Sequence, residues 1–155
     1  MTHKLLLSTL IASTLLLSTQ AGAEDATGTA NFQLVYPITV AETEEMEFGD
    51  VSIAADGQCA LDYSDAVTGA ACVAGGATAN TGLFTVTAAD GTVNLSLSAA
   101  DTSVPGVTFT PTLASATGTV ASNTLAVDVG GTLDILAATA TPGTHGLSYT
   151  LSVTY

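Results

Sequence analysis

Leu147-Ser148-Tyr149-Thr150-Leu151-Ser152-Val153-Thr154-Tyr155 places an apolar or aromatic side chain on every second residue and a hydroxyl residue in each gap. Successive side chains of an extended chain point to opposite faces, so Leu147, Tyr149, Leu151, Val153 and Tyr155 share one face. The stretch therefore predicts a half-buried β-strand over 147–155. One strand is not stable alone, so the rest of the chain must supply its neighbours.

A second alternation, Phe32, Leu34, Tyr36, Ile38 and Val40, predicts a strand over 32–40, with Pro37 making it an edge strand or bending it. Further on, Asp90-Gly91, Pro105-Gly106, Gly118, Gly130-Gly131 and Pro142-Gly143 punctuate apolar runs at regular intervals. That spacing marks an antiparallel β domain. Phe84, Val86 and Ala88 on one side of Asp90-Gly91, with Val93, Leu95 and Leu97 on the other, predict a hairpin. Runs around Val107 and Phe109, around Leu125 and Val127, and around Leu133 and Ile135 predict three more strands, and Phe48-Gly49-Asp50-Val51-Ser52-Ile53 a short one. Residues 54–80 read as a long loop with at most one short strand near 60–63, closed by a disulfide. No 3.6-residue apolar period occurs beyond residue 23. The expectation is an all-β protein, an antiparallel immunoglobulin-like β-sandwich of about eight strands, in a single domain over 24–155.

The first 23 residues read as an address. Lys4 precedes the apolar run from Leu5 to Leu17, and Ala21-Gly22-Ala23 offers the small residues of a cleavage site, so 1–23 predicts a secretory signal peptide. The run is too short to span a bilayer, and no integral membrane span is expected elsewhere. Export to the periplasm, cell surface or extracellular space follows. Beyond Ala23 the chain carries all fourteen of its carboxylates and neither Lys nor Arg. Without cations it has no means of neutralising phosphates, which excludes nucleic acid and an anionic membrane surface as partners. Cys59 and Cys72, the only cysteines, are expected to pair in an oxidising compartment.

Residues that could carry chemistry are few. His145 is the only histidine beyond the signal segment, and no Gly-x-Ser-x-Gly elbow accompanies it. Glu42, Glu44, Glu45, Glu47 and Asp50 offer hard oxygen ligands for calcium, yet not at the Asp-x-Asp-x-Asp-Gly spacing; a hydrated acidic turn is the simpler reading. The sequence thus predicts no catalytic residue, no metal ligand set and no cofactor.

Phe48-Gly49-Asp50, Gly82-Leu83-Phe84-Thr85-Val86, Val129-Gly130-Gly131-Thr132-Leu133 and the approach from Gly143 to Tyr149 and Tyr155 occur in an order that resembles the exported bacterial domain-of-unknown-function family 4402. The resemblance implies a small secreted β-sandwich without assigned catalytic residues. The signal segment, single disulfide and alternating strands at both ends are also loosely similar to chaperone-usher pilus subunits. That similarity implies a non-enzymatic, fimbria-like or cell-surface subunit associating by β-strand addition. Its partners would be itself or related subunits and a periplasmic chaperone. Phe32, Leu34, Tyr36, Ile38 and Val40 would be exchanged, and Leu147, Tyr149, Leu151, Val153 and Tyr155 would form one wall of the acceptor. The alternative is a self-contained adhesin-like binding module, using the 54–80 loop or the acidic turn with calcium.

Overall fold

The computed structural model describes residues 24–155; the predicted signal segment lies outside the described residues. Residues 24–33 and 34–155 belong to separate units. Of the first, residues 24–33 are exposed and lack regular structure.

The second unit is a β-sandwich of antiparallel strands, with no helix among the described residues. In chain order the strands are β1 (Thr39–Glu44), β2 (Gly57–Leu61), β3 (Val67–Thr68), β4 (Gly82–Thr87), β5 (Gly91–Leu97), β6 (Val107–Leu113), β7 (Thr117–Val120), β8 (Thr124–Ile135) and β9 (Leu151–Thr154). One sheet runs β1-β4-β8-β2-β3 with β6 also paired to β8, and the other runs β7-β5-β9.

The strand that organises the larger sheet is β8. Val129 pairs with Gly82 of β4 and with Leu113 of β6, so β4 and β6 lie along opposite edges of it. The residues from Gly131 to Ile135 pair with β2 and with β6, so β2 follows β4 along the same edge. The expected break at Gly130-Gly131 is therefore absent. These glycines stand mid-strand because neighbours press on both faces: a Cβ on Gly130 would lie 2.5 Å from the Leu61 carbonyl oxygen, and one on Gly131 2.5 Å from the Phe109 ring. Missing side chains here mark close approach rather than a turn.

Asp90-Gly91 differs from its expected hairpin as well. Phe84, Val86 and Ala88 do face Val93 and Leu95, but through the core, because β4 and β5 belong to different sheets. A two-residue hairpin turn of the favoured twist needs positive φ at both centres, and here Gly91 alone supplies one. The turn that meets this condition is Ser122-Asn123, with φ of 54° and 62°. Ala121 and Thr124 exchange two backbone hydrogen bonds around it before β7 and β8 part into separate sheets. The Asp90 carboxylate accepts the Asn123 N–H at 2.6 Å, tying the two corners together.

Two apolar clusters fill the interior. Phe84, Val86, Val127 and Val129 from the larger sheet meet Val93, Leu95, Val120 and Leu151 from the smaller one. Cys59, Phe109, Leu133 and Ile135 form the second cluster, which irregular segments cover instead of strands, through Phe48, Ile53, Ala140 and Leu147. The expected strand at 48–53 is only a pair of isolated bridges, Glu47 with Asn80 and Val51 with Cys72. The 54–80 region holds more order than its composition predicts. β2 lies at Gly57–Leu61 rather than 60–63, buries Cys59 and Leu61, and is followed by β3. The Cys59–Cys72 disulfide closes this region, with Cα atoms 4.9 Å apart. Asp65 adds a second tie by accepting both the N–H and the hydroxyl of Thr81.

Candidate strand-exchange site

The N-terminal strand is displaced from its predicted position. Only Val40 of the five alternating residues lies in β1, which starts at Thr39 and ends at Glu44. Phe32, Leu34 and Tyr36 are outside any ladder and exposed, with Leu34 88% exposed, and Ile38 alone packs against the first cluster. The physical reason lies in partner and proline together. β4 ends at Thr87, opposite Thr39, so the residues before Thr39 have no strand to pair with, and Pro37 removes a donor there.

β1 is an edge strand paired only with β4, and all six of its residues are exposed. Its register slips between Glu42 and Glu44, so Thr43 is an extra, bulged residue. The Thr43 hydroxyl donates to the Leu83 carbonyl at 3.1 Å.

At the other end, the alternation over 147–155 is real but only Leu151–Thr154 has a ladder, with β5. The chain before it is held by substitutes. Ser148 N–H donates to the Asp101 carboxylate, and Thr150 N–H donates to the Ser98 hydroxyl while its carbonyl accepts the Ser98 N–H. Accepting from Ser148 and from Ser103 holds the Asp101 carboxyl below the ordinary carboxylate value. Leu147 packs in the second cluster, Leu151 is buried in the first, Val153 packs against the first, and Tyr155 is half exposed.

Tyr149 joins the two clusters. Its ring meets Phe84 edge-on with centroids 5.7 Å apart and Phe109 at the same separation; Phe109 in turn meets Phe48 at 5.9 Å. Such edge-to-face pairs are favoured by the ring quadrupoles. Gly82 lies under the Tyr149 hydroxyl, where any Cβ would collide with it. The hydroxyl donates to Glu42 Oε1 at 3.2 Å. Burial first, then the charge and hydrogen bond of Glu42, push its ionisation well above the usual phenol range.

The structure thus brings the two ends of the domain together through side chains. Tyr155 Oη donates to the Tyr36 carbonyl at 2.7 Å and accepts the Ala89 N–H at 3.1 Å. The interval from Tyr149 to Tyr155 equals that from Tyr36 to Glu42, and the pairing runs in reverse order, so the two segments pass antiparallel. β1 is an edge of one sheet and β9 an edge of the other. Two tyrosine hydroxyls therefore stitch the sandwich between edges that share no ladder.

Glu42 was legible only as part of an acidic run; the two-residue period from Ile38 through Val40 is the signal that places it toward Tyr149. The acidic turn does not gather. Asp50 accepts the Ala77 N–H, Glu44 accepts from the Asn80 side chain, and no group of three or more His, Cys, Asp or Glu among the described residues is placed to hold a metal ion. His145 is exposed in irregular chain just past Pro142-Gly143, with Nε2 2.9 Å from the Thr141 carbonyl oxygen. No helix among the described residues is long and apolar enough to cross a membrane. No family model, curated protein or solved structure matches the chain.

Proposed function

We propose that the protein is a non-enzymatic exported structural protein, a fimbria-like or cell-surface subunit that associates by β-strand addition. The observation that carries this reading is the segment leading into β1. Leu34, Val35 and Tyr36 are 88%, 63% and 58% exposed, lie outside every ladder, and are continuous with an edge strand. An exposed apolar stretch continuous with an edge strand is the arrangement by which one chain adds to the sheet of another. Clustered exposed apolar residues on a small β domain mark an interaction surface. The disulfide is compatible with an oxidising compartment and supports export.

Sedimentation across a wide concentration range tests the reading. The expected result is concentration-dependent oligomers, seen also as ladders in unboiled SDS gels, that Leu34→Asp with Tyr36→Asp abolishes. A wild-type protein that stays monomeric at every concentration overturns it.

A further inference from the structure

We propose that Tyr149 and Tyr155 form a latch that keeps β1, residues 39–44, in its own sheet, and that opening it lets the same strand of a second copy occupy the vacated edge of β4. This rests on the strand-addition reading and names the element exchanged, its acceptor and what restrains it.

Apart from its backbone ladder, β1 is held by few side-chain contacts. Its six residues are exposed, the bulge at Thr43 interrupts its ladder, and Ile38 is the single apolar anchor of the segment in the first cluster. Besides the Thr43 hydroxyl on the Leu83 carbonyl and the Asn80 side chain on Glu44, the side-chain restraints come from the C-terminal segment: Tyr149 Oη on the Glu42 carboxylate and Tyr155 Oη on the Tyr36 carbonyl. They grip the segment at both ends. Losing them leaves β1 as an edge strand held by one irregular ladder and two side-chain bonds at its C-terminal end, the kind of element that opens locally before the rest of a domain.

The occupant is fixed by the acceptor. Beneath β1, β4 presents an edge whose register is satisfied from Thr39 opposite Thr87 to Glu44 opposite Leu83. The same segment of a second copy meets that register residue for residue, which is the condition for exchange of an identical element. Residues 34–41 carry no charge, so the leading half of the incoming strand adds nothing to the repulsion between two anionic copies. The pivot is short: only Glu45 and Met46 lie between β1 and the Glu47–Asn80 bridge, and Met46 packs against both clusters, so β1 opens about a fixed point.

The test is hydrogen exchange on the purified protein and on Tyr149→Phe with Tyr155→Phe, which keeps both rings and removes both hydroxyls. Amides of 39–44 and their β4 partners are expected to exchange about ten- to hundredfold faster in the double variant, while those linking β6 to β8 keep their protection. Oligomer formation, followed by light scattering, is expected at lower concentration than in the wild type. Unchanged exchange at 39–44 overturns the latch and leaves strand addition standing wherever the wild type still assembles. Faster exchange in a protein that never assembles overturns the exchange and the strand-addition reading with it. Should the double variant fail to fold, Glu42→Ala with Tyr155→Phe removes the same three hydrogen bonds, to Glu42, Tyr36 and Ala89, from exposed residues and gives the same readout.

Discussion

Tyr149 carries its hydroxyl to the edge of the core, and its environment sets the sign of an alkaline transition. An ionisation raised in the folded state contributes stability that is full below the unfolded phenol value of about 10 and is lost as pH rises through the higher folded value. Urea midpoints are therefore expected to fall above about pH 10 and to fall less steeply in Tyr149→Phe. Asp62 and Asp101 have the opposite sign. Both are held below their ordinary value of 3.8 by hydrogen bonds, from Ser64 and Ala66 to Asp62 and from Ser148 and Ser103 to Asp101. What they contribute is present above that value and lost as pH falls through the depressed ones, so the acid limb of a stability profile is expected to lie below the ordinary carboxylate range. Among glycines, Gly130→Ala is expected to cost about 2–4 kcal/mol by urea denaturation, because the Cβ meets the rigid Leu61 carbonyl. Alternation made the inward face of Tyr149 legible. The meaning of Gly130 was hidden, since a turn and a close approach of backbones both call for a missing side chain, and only the neighbours distinguish them.

At the scale of elements, strands with one face in the core were readable and strands defined by their partners were not. Phe84, Val86, Val93 and Leu95 announce β4 and β5 by burial alone. β1 does not, because none of its residues is buried and its position is set by where β4 ends. β2 is concealed for another reason: Gly57-Gln58-Cys59-Ala60-Leu61 buries a cystine half and a leucine among small residues, a pattern too sparse to exceed the surrounding Ala and Gly. Ser122-Asn123 takes the geometry usually signalled by Asn-Gly, so the tight turn passed unmarked while Asp90-Gly91, carrying the stronger signal, makes an arch. The contrast between elements is testable. Val86→Ala in β4, where the side chain is wholly buried, is expected to cost about 2 kcal/mol, whereas Val40→Ala in β1 is expected to cost less than about 0.5 kcal/mol, both by urea denaturation.

On the scale of the whole molecule, the disulfide and the charge act on different equilibria. Cys59 is fully buried and Cys72 partly so; replacing both cysteines by alanine is expected to lower unfolding free energy by about 3 kcal/mol. Fourteen carboxylates without a single Lys or Arg beyond residue 23 make every encounter between copies repulsive. Assembly is therefore expected to strengthen as salt rises from about 0.05 to 0.5 M, the reverse of association between oppositely charged surfaces; sedimentation in the two buffers reads the difference. The Tyr155 hydroxyl on the Tyr36 carbonyl also has a mechanical meaning. Tension applied between those two residues acts across a single hydrogen bond and then on the end of β1, which it opens one rung at a time instead of loading all rungs together. Single-molecule stretching from these points is expected to show an early, low-force lengthening before the disulfide-closed body yields, so the domain gives under load at this corner first.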